Sequence, residues 1–449
     1  MTRPGSARAG HREPGGRLLG LAETLESHRG FAEVVASVRS GHGGSIGGTW
    51  GSASALAVAA LAGSGPGTLV VILPHAAEAE AFVDDLALFS QTTATLLPPL
   101  EAFDAESDGG GPDPAEPVRL AVVKQLALAA SGIATSGSVT QPRQARRAGS
   151  PPAGGGPPSD AQQDAGPSRE ASTEPARLVV TSIQAMLAPL ADPRDVARIG
   201  ERSEGWRAAD AIEEPGTFAR RGGIVDLFAA DWERPVRVEL DGDDIDSLRT
   251  FDTVSQRSVA VLEHVDVTAL AAAEGTVRHT HLADLLPAGT VFVLVEPGEL
   301  AEEARRMHDR LGAGGGLFDP DEVFARIQRF PSIGLSALAP SSLEAAATLA
   351  VESVERFTGV LDRVQSELET VGKDQEVWVV APSDAEEKRL RDLLGASAPA
   401  RARRLHFARG RLSAGFRLVP EKLVIVSSAE LFNREEAAPR AARQRLSRA

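Results

Sequence analysis

The sequence predicts an α/β fold built on a parallel sheet, and the form of its strands is the first reason. Short, unbroken apolar runs at 68–74, 177–182 and 290–297 are typical of strands that are buried on both faces. Helical segments separate these runs, and this alternation is the pattern of a parallel sheet. Residues 218–251 break the pattern with short strands joined by turns, which predicts an inserted antiparallel α+β unit.

The remaining elements follow from local patterns along the chain. Helices are expected where apolar residues recur at a spacing of three or four, and strands where apolar and β-branched residues run together between turn residues. A last small α/β unit begins near residue 373. The predicted elements are a helix over 18–40, a loop over 43–51, a helix over 52–61, a strand over 68–74, helices over 76–89 and 117–130, strands over 177–182 and 290–297, helices over 300–311 and 343–371, a strand over 376–382, a helix over 384–394 and a strand over 422–427.

The inserted unit carries its own strand and turn signals. Val236 and Val238 alternate with Arg237, so one face of this strand is expected to be buried and Arg237 is expected to point away from the core. Asp241–Gly242 is a hairpin-turn signal, which predicts that the next strand returns antiparallel.

Composition excludes several classes of function. The chain has 449 residues, no Cys and a net charge of −15. Without Cys there are no disulfides and no thiolate metal sites, and the net charge argues against nonspecific nucleic-acid binding by the whole surface. The Arg-rich tail and insert lack interleaved aromatic residues, so DNA binding is expected to be weak or absent. No apolar run reaches ~18 residues, so no membrane span is expected and the cytoplasm is the predicted location.

A stretch near the N-terminus has the layout of a phosphate loop that opens a helix. It reads G-T-W-G-S-A-S-A from Gly48 to Ala55, against the motif G-x-x-x-x-G-K-[ST]. Ser54 stands where the motif has the phosphate-binding lysine, and Ala55 stands where it has the hydroxyl that holds magnesium. The strand at 290–297 ends on a single acid, Glu296. The residues of this degenerate nucleotide loop are Gly48, Gly51, Ser52 and Ser54.

Two interpretations of that loop are open. Its backbone N–H groups and the helix N-terminus could retain some ATP binding. Alternatively, the loop is a glycine-bearing turn that packs a helix on a sheet. The second is favoured, because each lost charge removes a contact worth roughly 1.5–3 kcal/mol. No cofactor, catalytic residue or metal site is predicted. His279 and His281 could suggest zinc, but no third ligand stands at metal spacing, so two exposed histidines are expected.

The inserted unit carries the most specific resemblance in the chain. The stretch G-T-F-A-R-R-G-G-I-V-D-L-F at 216–228, followed by R-P-V-R-V-E-L and D-D-I-D-S-L-R-T-F-D-T-V-S-Q-R-S, is similar to the UvrB-like module of the bacterial transcription-repair coupling factor family. Flanking stretches at 97–106, 179–187, 281–287 and 410–432 match in order. The resemblance implies a degenerate RecA/helicase-like parallel sheet, an inserted α+β UvrA-docking domain (the UvrB interaction domain) and a small C-terminal α/β domain.

The resemblance also implies domain limits. A disordered arm is expected first and a disordered Pro-, Gly- and Ser-rich insert later, because neither has enough apolar residues to bury. The expected divisions are an arm at 1–16, the first part of the helicase-like lobe at 17–135, the disordered insert at 136–176, a continuation and lead-in at 177–205, the UvrB-interaction-like domain at 206–270, the rest of the lobe at 271–372, the small α/β domain at 373–433 and an Arg-rich tail at 434–449.

The resemblance places a UvrA-binding site on the inserted unit. The family uses two arginines, which match Arg221 and Arg237, and an aromatic position that falls on Asp241 and departs from the pattern. Arg220 and Arg249 are expected to assist. An outward arginine can fork to a carboxylate of a partner. The alternative is a surface arginine that only pairs with an acidic neighbour across the strands, worth under ~1 kcal/mol.

The resemblance therefore implies a non-catalytic module that imitates UvrB and recruits UvrA in transcription-coupled nucleotide excision repair. No helicase motif follows, so the chain is expected to be truncated before the polymerase-binding and translocase domains and to bind no RNA polymerase directly. Two alternatives are open: a fragment of a UvrB-type ATP-dependent repair enzyme, or an inert truncated remnant of a coupling factor.

Overall fold

Helices and strands alternate along most of the chain. The computed structural model describes residues 18–432 except 27, 29, 65–66, 101–114, 131–176, 193–195, 199–206, 209–211, 213–216, 230–231, 233, 243, 263, 266, 271–278, 312–315, 339–344 and 355–356. The arm expected at 1–16, the insert expected at 136–176 and the tail expected at 434–449 lie outside the described residues.

The secondary structure of the described residues is as follows. The helices are α1 (Gly20–Glu26), α2 (Phe31–Arg39), α3 (Ser52–Gly63), α4 (Ala76–Phe89), α5 (Glu116–Ala130), α6 (Ile183–Leu187), α7 (Pro297–Leu311), α8 (Pro320–Ile327), α9 (Leu361–Val371), α10 (Asp384–Leu394), α11 (Ala398–Arg401) and α12 (Ser428–Leu431). The strands are β1 (Gly44–Gly47), β2 (Thr68–Leu73), β3 (Ala94–Leu97), β4 (Arg177–Ser182), β5 (Leu190–Ala191), β6 (Val196–Arg198), β7 (Arg207–Ala208), β8 (Thr217–Arg221), β9 (Ile224–Phe228), β10 (Val236–Asp241), β11 (Asp244–Phe251), β12 (Ser258–Leu262), β13 (Thr268–Leu270), β14 (His279–Thr280), β15 (Val291–Val295), β16 (Ser332–Ser336), β17 (Ala345–Thr348), β18 (Val351–Ser353), β19 (Glu376–Ala381), β20 (Leu405–Arg409), β21 (Phe416–Leu418) and β22 (Leu423–Ser427).

The large sheet is parallel, as the buried apolar runs predict. It has seven strands in the order β17-β1-β16-β15-β2-β4-β3, and every pair in it is parallel. All six residues of β2 are buried, which confirms the expected strand covered on both faces. The α/β class with a large parallel sheet is therefore confirmed.

Two helix predictions differ from the structure. The helix expected over 18–40 is two helices, because Gly30 adopts a φ of 89° between them and its backbone approaches the carbonyl oxygen of Ala346. The long helix expected over 343–371 is wrong. Its first part, which includes A-A-A-T, forms β17 and pairs in parallel with β1, and of the described residues in this stretch only those of α9 are helical. Pairing with the sheet overrides the helix preference of alanine.

The inserted unit forms a six-stranded sheet in the order β12-β11-β10-β9-β8-β7. Its strands are antiparallel except for the β7–β8 pair. The turn predicted at Asp241–Gly242 joins β10 to β11, and Val236 and Val238 are buried on one face. The predicted antiparallel unit is therefore confirmed, and buried valines alternate with more exposed polar residues along β10.

A third sheet near the C-terminus packs against the helices of the first. Its order is β18-β21-β22-β19-β20. Trp378, Phe416 and Ile425 from this sheet join the same apolar cluster as the buried residues of α1 to α4. Helix α3 lies inside that cluster and is buried on every side from Ser52 to Ala62, as expected of a helix that is apolar all round. Among the described residues, no helix is both long enough and apolar enough to cross a membrane.

Candidate functional site

One face of the antiparallel sheet brings the predicted arginines together. The register places Asp226 of β9 opposite Arg237 of β10, Arg237 opposite Arg249 of β11, and Arg249 opposite Val261 of β12. Residues directly opposite each other in a sheet share a face. We call the face that carries this row the arginine face. The opposite face holds the apolar cluster around Val236 and its neighbours.

Arg237 is the most constrained residue of the arginine face. Its Nε and NH2 donate to the two carboxylate oxygens of Asp226 at 2.7 and 2.8 Å, and its guanidinium carbon lies 4.6 Å from the ring centre of Phe251. The hydrogen bonds with Asp226 raise the pKa of Arg237. Arg237 points away from the apolar cluster, as the alternation predicts, but its side chain is only 23% exposed. Its fork is therefore already engaged inside this chain.

The other predicted residues divide between the two faces. Arg249 lies on the arginine face, is 38% exposed, and donates from NH2 to Glu239 at 2.9 Å. Arg221 stands opposite Ile224, and Ile224 shares the arginine face because it lies two residues before Asp226 on β9. Arg221 is therefore also on the arginine face, and it is exposed. Arg220 is also exposed but stands opposite Val225, so it points to the other side of the sheet. The structure thus brings three of the four arginines together.

Asp241, at the position where the resemblance implies an aromatic residue, ends β10 at the hairpin. It is exposed and lies opposite Asp244. Strand alternation puts it on the same side as Arg237 and Glu239. The aromatic contact is therefore replaced by an acidic corner of the arginine face.

The sequence prediction missed Asp226, Glu239 and Phe251, which hold the arginines in place. Asp226 is buried and Phe251 is fully buried. The signal was present, because Asp226 interrupts the apolar strand I-V-D-L-F and an acid in such a strand requires a partner. Which arginine it meets depends on the register between β9 and β10, and that register emerges only from the folded sheet.

In the degenerate nucleotide loop the two serines are buried, whereas Gly48 is partly buried and Gly51 is exposed. Gly51 caps the N-terminus of α3, and Ser52 and Ser54 are 0% and 4% exposed. The amide of Thr49 donates to Ser336, and the amide of Ser54 donates to Gly51. These N–H groups, which a phosphate loop directs at its ligand, are used within the protein.

The same loop is also covered from outside. Gly48 has a φ of 73°, and a Cβ there would collide with the carbonyl oxygen of Leu349. A Cβ on Gly51 would lie 2.9 Å from the Cβ of Ala414, which belongs to the segment between β20 and β21. The amide of Ala414 donates to the Ser52 hydroxyl at 3.1 Å. The segment between β20 and β21 therefore packs against one side of the loop.

Asp85 of α4 joins the loop to this covering segment. Its carboxylate accepts hydrogen bonds from the Ser52 hydroxyl at 2.9 Å, from the Ser413 amide at 2.8 Å and from the Ser413 hydroxyl at 2.5 Å. Burial raises the pKa of Asp85 to about 7, although the hydrogen bonds from Ser413 oppose the rise. We call Asp85, Ser52 and Ser413 the serine–aspartate latch.

The other polar residues weighed from the sequence have structural partners. The carboxylate of Glu296 accepts from the amide of Ala337 at 2.7 Å. His279 is exposed, as expected, but His281 is buried, so the expectation is wrong for His281. Its Nε2 lies 2.9 Å from the Met186 carbonyl, and its Nδ1 accepts from the Ala283 amide. Burial lowers the pKa of His281 to about 4. Within the described part of the chain, no group of three or more His, Cys, Asp or Glu is placed to hold a metal ion.

Comparison with known proteins identifies a domain family that matches the inserted sheet. The UvrB interaction domain family matches residues 203–272, which span the antiparallel sheet. A transcription-repair-coupling factor of Myxococcus xanthus is 31% identical over 141 residues, covering 31% of this chain and 10% of the relative. That of Escherichia coli (strain K12) is 40% identical over 74 residues, 16% of this chain and 6% of the relative. The factor of Bacillus subtilis (strain 168) is 38% identical over 63 residues, which cover 14% of this chain and 5% of the relative.

These matches are partial. The matching stretches span a tenth or less of the length of the relatives. The resemblance predicted from the inserted unit is confirmed by both kinds of match. Residues 203–272 match the UvrB interaction domain family, and the chain is similar, over partial stretches, to the transcription-repair-coupling factors.

Proposed function

We propose that this chain is a docking module that recruits UvrA in transcription-coupled nucleotide excision repair. The observation that carries the proposal is the UvrB interaction domain match over a sheet whose one face gathers Arg221, Arg237 and Arg249. Arginine is favoured at protein interfaces because its planar fork recognises carboxylates. A coupling-factor relationship supplies the biological setting.

We further propose that the module is not an enzyme and that its large sheet is a degenerate RecA-like lobe. The support is the nucleotide loop, which lacks a lysine. Its Thr49 amide donates to Ser336, and Leu349 and Ala414 pack closely against its two glycines. Lysine and a metal-binding hydroxyl supply the positive charge that phosphoryl transfer requires. Magnesium-dependent ATP hydrolysis by the purified chain, lost on substitution of Ser54, would refute this part.

The docking proposal is tested by titrating purified UvrA against the full chain in a calorimeter. We expect micromolar or tighter binding from the wild type and a clear loss for the double variant Arg221→Ala plus Arg237→Ala. Unchanged binding by that variant would reject the assignment of the site. Arg220→Ala is the matched control, since Arg220 is equally exposed but lies on the opposite face.

The remaining partner proposals follow from charge. With a net charge of −15, the chain is proposed to bind DNA weakly. We also propose that it makes no direct contact with RNA polymerase, a contact that the resemblance assigns to a separate domain of the family. A cytoplasmic location follows from the same role. A gel-shift titration and a polymerase pull-down at physiological salt test these statements.

A further inference from the structure

Among the described residues, strand β12 forms an apolar edge of the antiparallel sheet. It lies last in the strand order and reads S-V-A-V-L without a charged residue. Val259 is 52% exposed and Val261 is 78% exposed. Natural edge strands are usually protected by charge, proline or a covering element. An open apolar edge of this kind is characteristic of a surface that another chain covers.

The register connects this edge to the arginine face. Val261 stands opposite Arg249 and shares its face, and Val259 lies at a register shift of the same strand pair, where it is exposed like Val261. Ile224, 37% exposed, lies further along the face, opposite Glu239. The β11–β12 end of the face therefore combines exposed apolar side chains with an arginine, the mixture that is enriched at the centres of protein interfaces.

Arg237 and Arg249 differ in what they can offer a partner. Both arms of the Arg237 fork are held by Asp226, and its side chain is the more buried of the two. Arg249 donates from NH2 to Glu239 and is 38% exposed. A partner carboxylate that took the Arg237 fork would leave Asp226 buried and unpaired, which is unfavourable. Arg249 can accept a partner without that loss.

We infer that UvrA contacts this face chiefly through Arg249, Val261 and Val259, and that Arg237 is a positioning residue that holds the sheet. This inference rests on the proposed function and moves the centre of the site towards β12. It also explains how the face manages without the aromatic residue at Asp241, because the valines supply the apolar contact. A second copy of this chain is a poorer occupant. Pairing two five-residue strands falls far short of the ~800 Å² per partner of a stable interface.

The test is a calorimetric titration of UvrA against the full chain and four single variants, with a melting curve for each. We expect Val261→Asp and Arg249→Ala to raise Kd about tenfold without a change in Tm, and Val261→Thr, which keeps the strand-forming shape, to raise it about threefold. Val254→Asp is the matched control, because Val254 is 86% exposed in the turn before β12, and it should bind within about twofold of wild type.

The outcomes separate the two proposals. If the wild type binds UvrA and both Val261→Asp and Arg249→Ala bind equally well, the inference is wrong and the docking function stands. If the wild type itself does not bind, the docking function fails and the inference fails with it. A wild-type dimer that Val261→Asp converts to a monomer would assign β12 to self-association and also overturn the inference.

Discussion

The serine–aspartate latch makes a pH-dependent contribution to stability that can be isolated with one substitution. Burial raises the pKa of Asp85 from 3.8 to about 7, so the folded chain holds a proton that the unfolded chain releases across this range. The contribution is fully present below pH 3.8 and is lost as the pH rises through about 7. A difference of this size corresponds to a loss of about 4 kcal/mol, an upper value for a single group.

Asp85→Asn removes the charge while keeping the shape and most of the hydrogen bonds. Its amide oxygen can accept from the Ser413 amide, and its NH₂ can donate to a serine hydroxyl. We therefore expect the variant to be at least as stable as the wild type at pH 8. Only below about pH 3.8, where the wild-type carboxyl is protonated in both the folded and the unfolded chain, does it gain nothing over the wild type.

The assay is urea unfolding followed by tryptophan fluorescence at pH values from 5 to 8, with wild type and Asp85→Asn compared at each pH. The control is Asp84→Asn, because Asp84 is adjacent but 46% exposed, and its carboxylate lies 3.6 Å from Arg411. That variant should keep the wild-type pH dependence. If wild type and Asp85→Asn lose stability in parallel as the pH rises, Asp85 is ionised at low cost and the reasoning is refuted.

Three further predictions concern the loop and the arginine face. Gly48→Ala should lower the free energy of unfolding by about 2 kcal/mol, from a strained φ and a collision with Leu349, with Gly20→Ala as the open-space control in the same urea assay. Ser54→Lys should destabilise the chain, because Ser54 is 4% exposed and a lysine there would be buried without a partner. The variant should bind no ATP in a fluorescent-nucleotide titration. Tight nucleotide binding by this variant would contradict the proposal that the loop no longer binds phosphate. Arg237→Ala should lower the free energy of unfolding by about 2 kcal/mol, because it leaves the buried Asp226 unpaired. Arg249→Ala should change it by under about 1 kcal/mol. Equal melting temperatures for the two variants would show that Arg237 does not stabilise the sheet.

Local pattern was enough to predict the elements whose residues determine their own environment. The run at 68–74 is apolar on both faces and became β2, and the Asp241–Gly242 turn became the hairpin between β10 and β11. The helix expected over 384–394 is α10, which begins after Ser383, whose side chain accepts from the Glu386 amide. In each case the chemistry of adjacent residues decides the structure.

Features that depend on distant partners were not predictable in this way. The A-A-A-T stretch of β17 prefers a helix locally and becomes a strand only because β1 is available to pair with it. Ser52 and Ser413 are 361 residues apart in sequence, and nothing in either segment predicts that they meet. For the candidate site, the alternation of β10 placed Arg237 on the correct face. Its capture by Asp226 depends on cross-strand register, which the sequence leaves open.

Helices α3 and α4 share one apolar core with the C-terminal sheet, and this has a practical consequence for the expression of fragments. Phe89 at the end of α4 lies 6.2 Å, between ring centres, from Phe416 of the C-terminal sheet, and a Cβ on Gly410 would crowd Leu88. A fragment cut before residue 373 would leave these side chains facing water and should precipitate or bind hydrophobic dyes. We therefore expect the N-terminal lobe to need the last sheet, because the two share one apolar cluster.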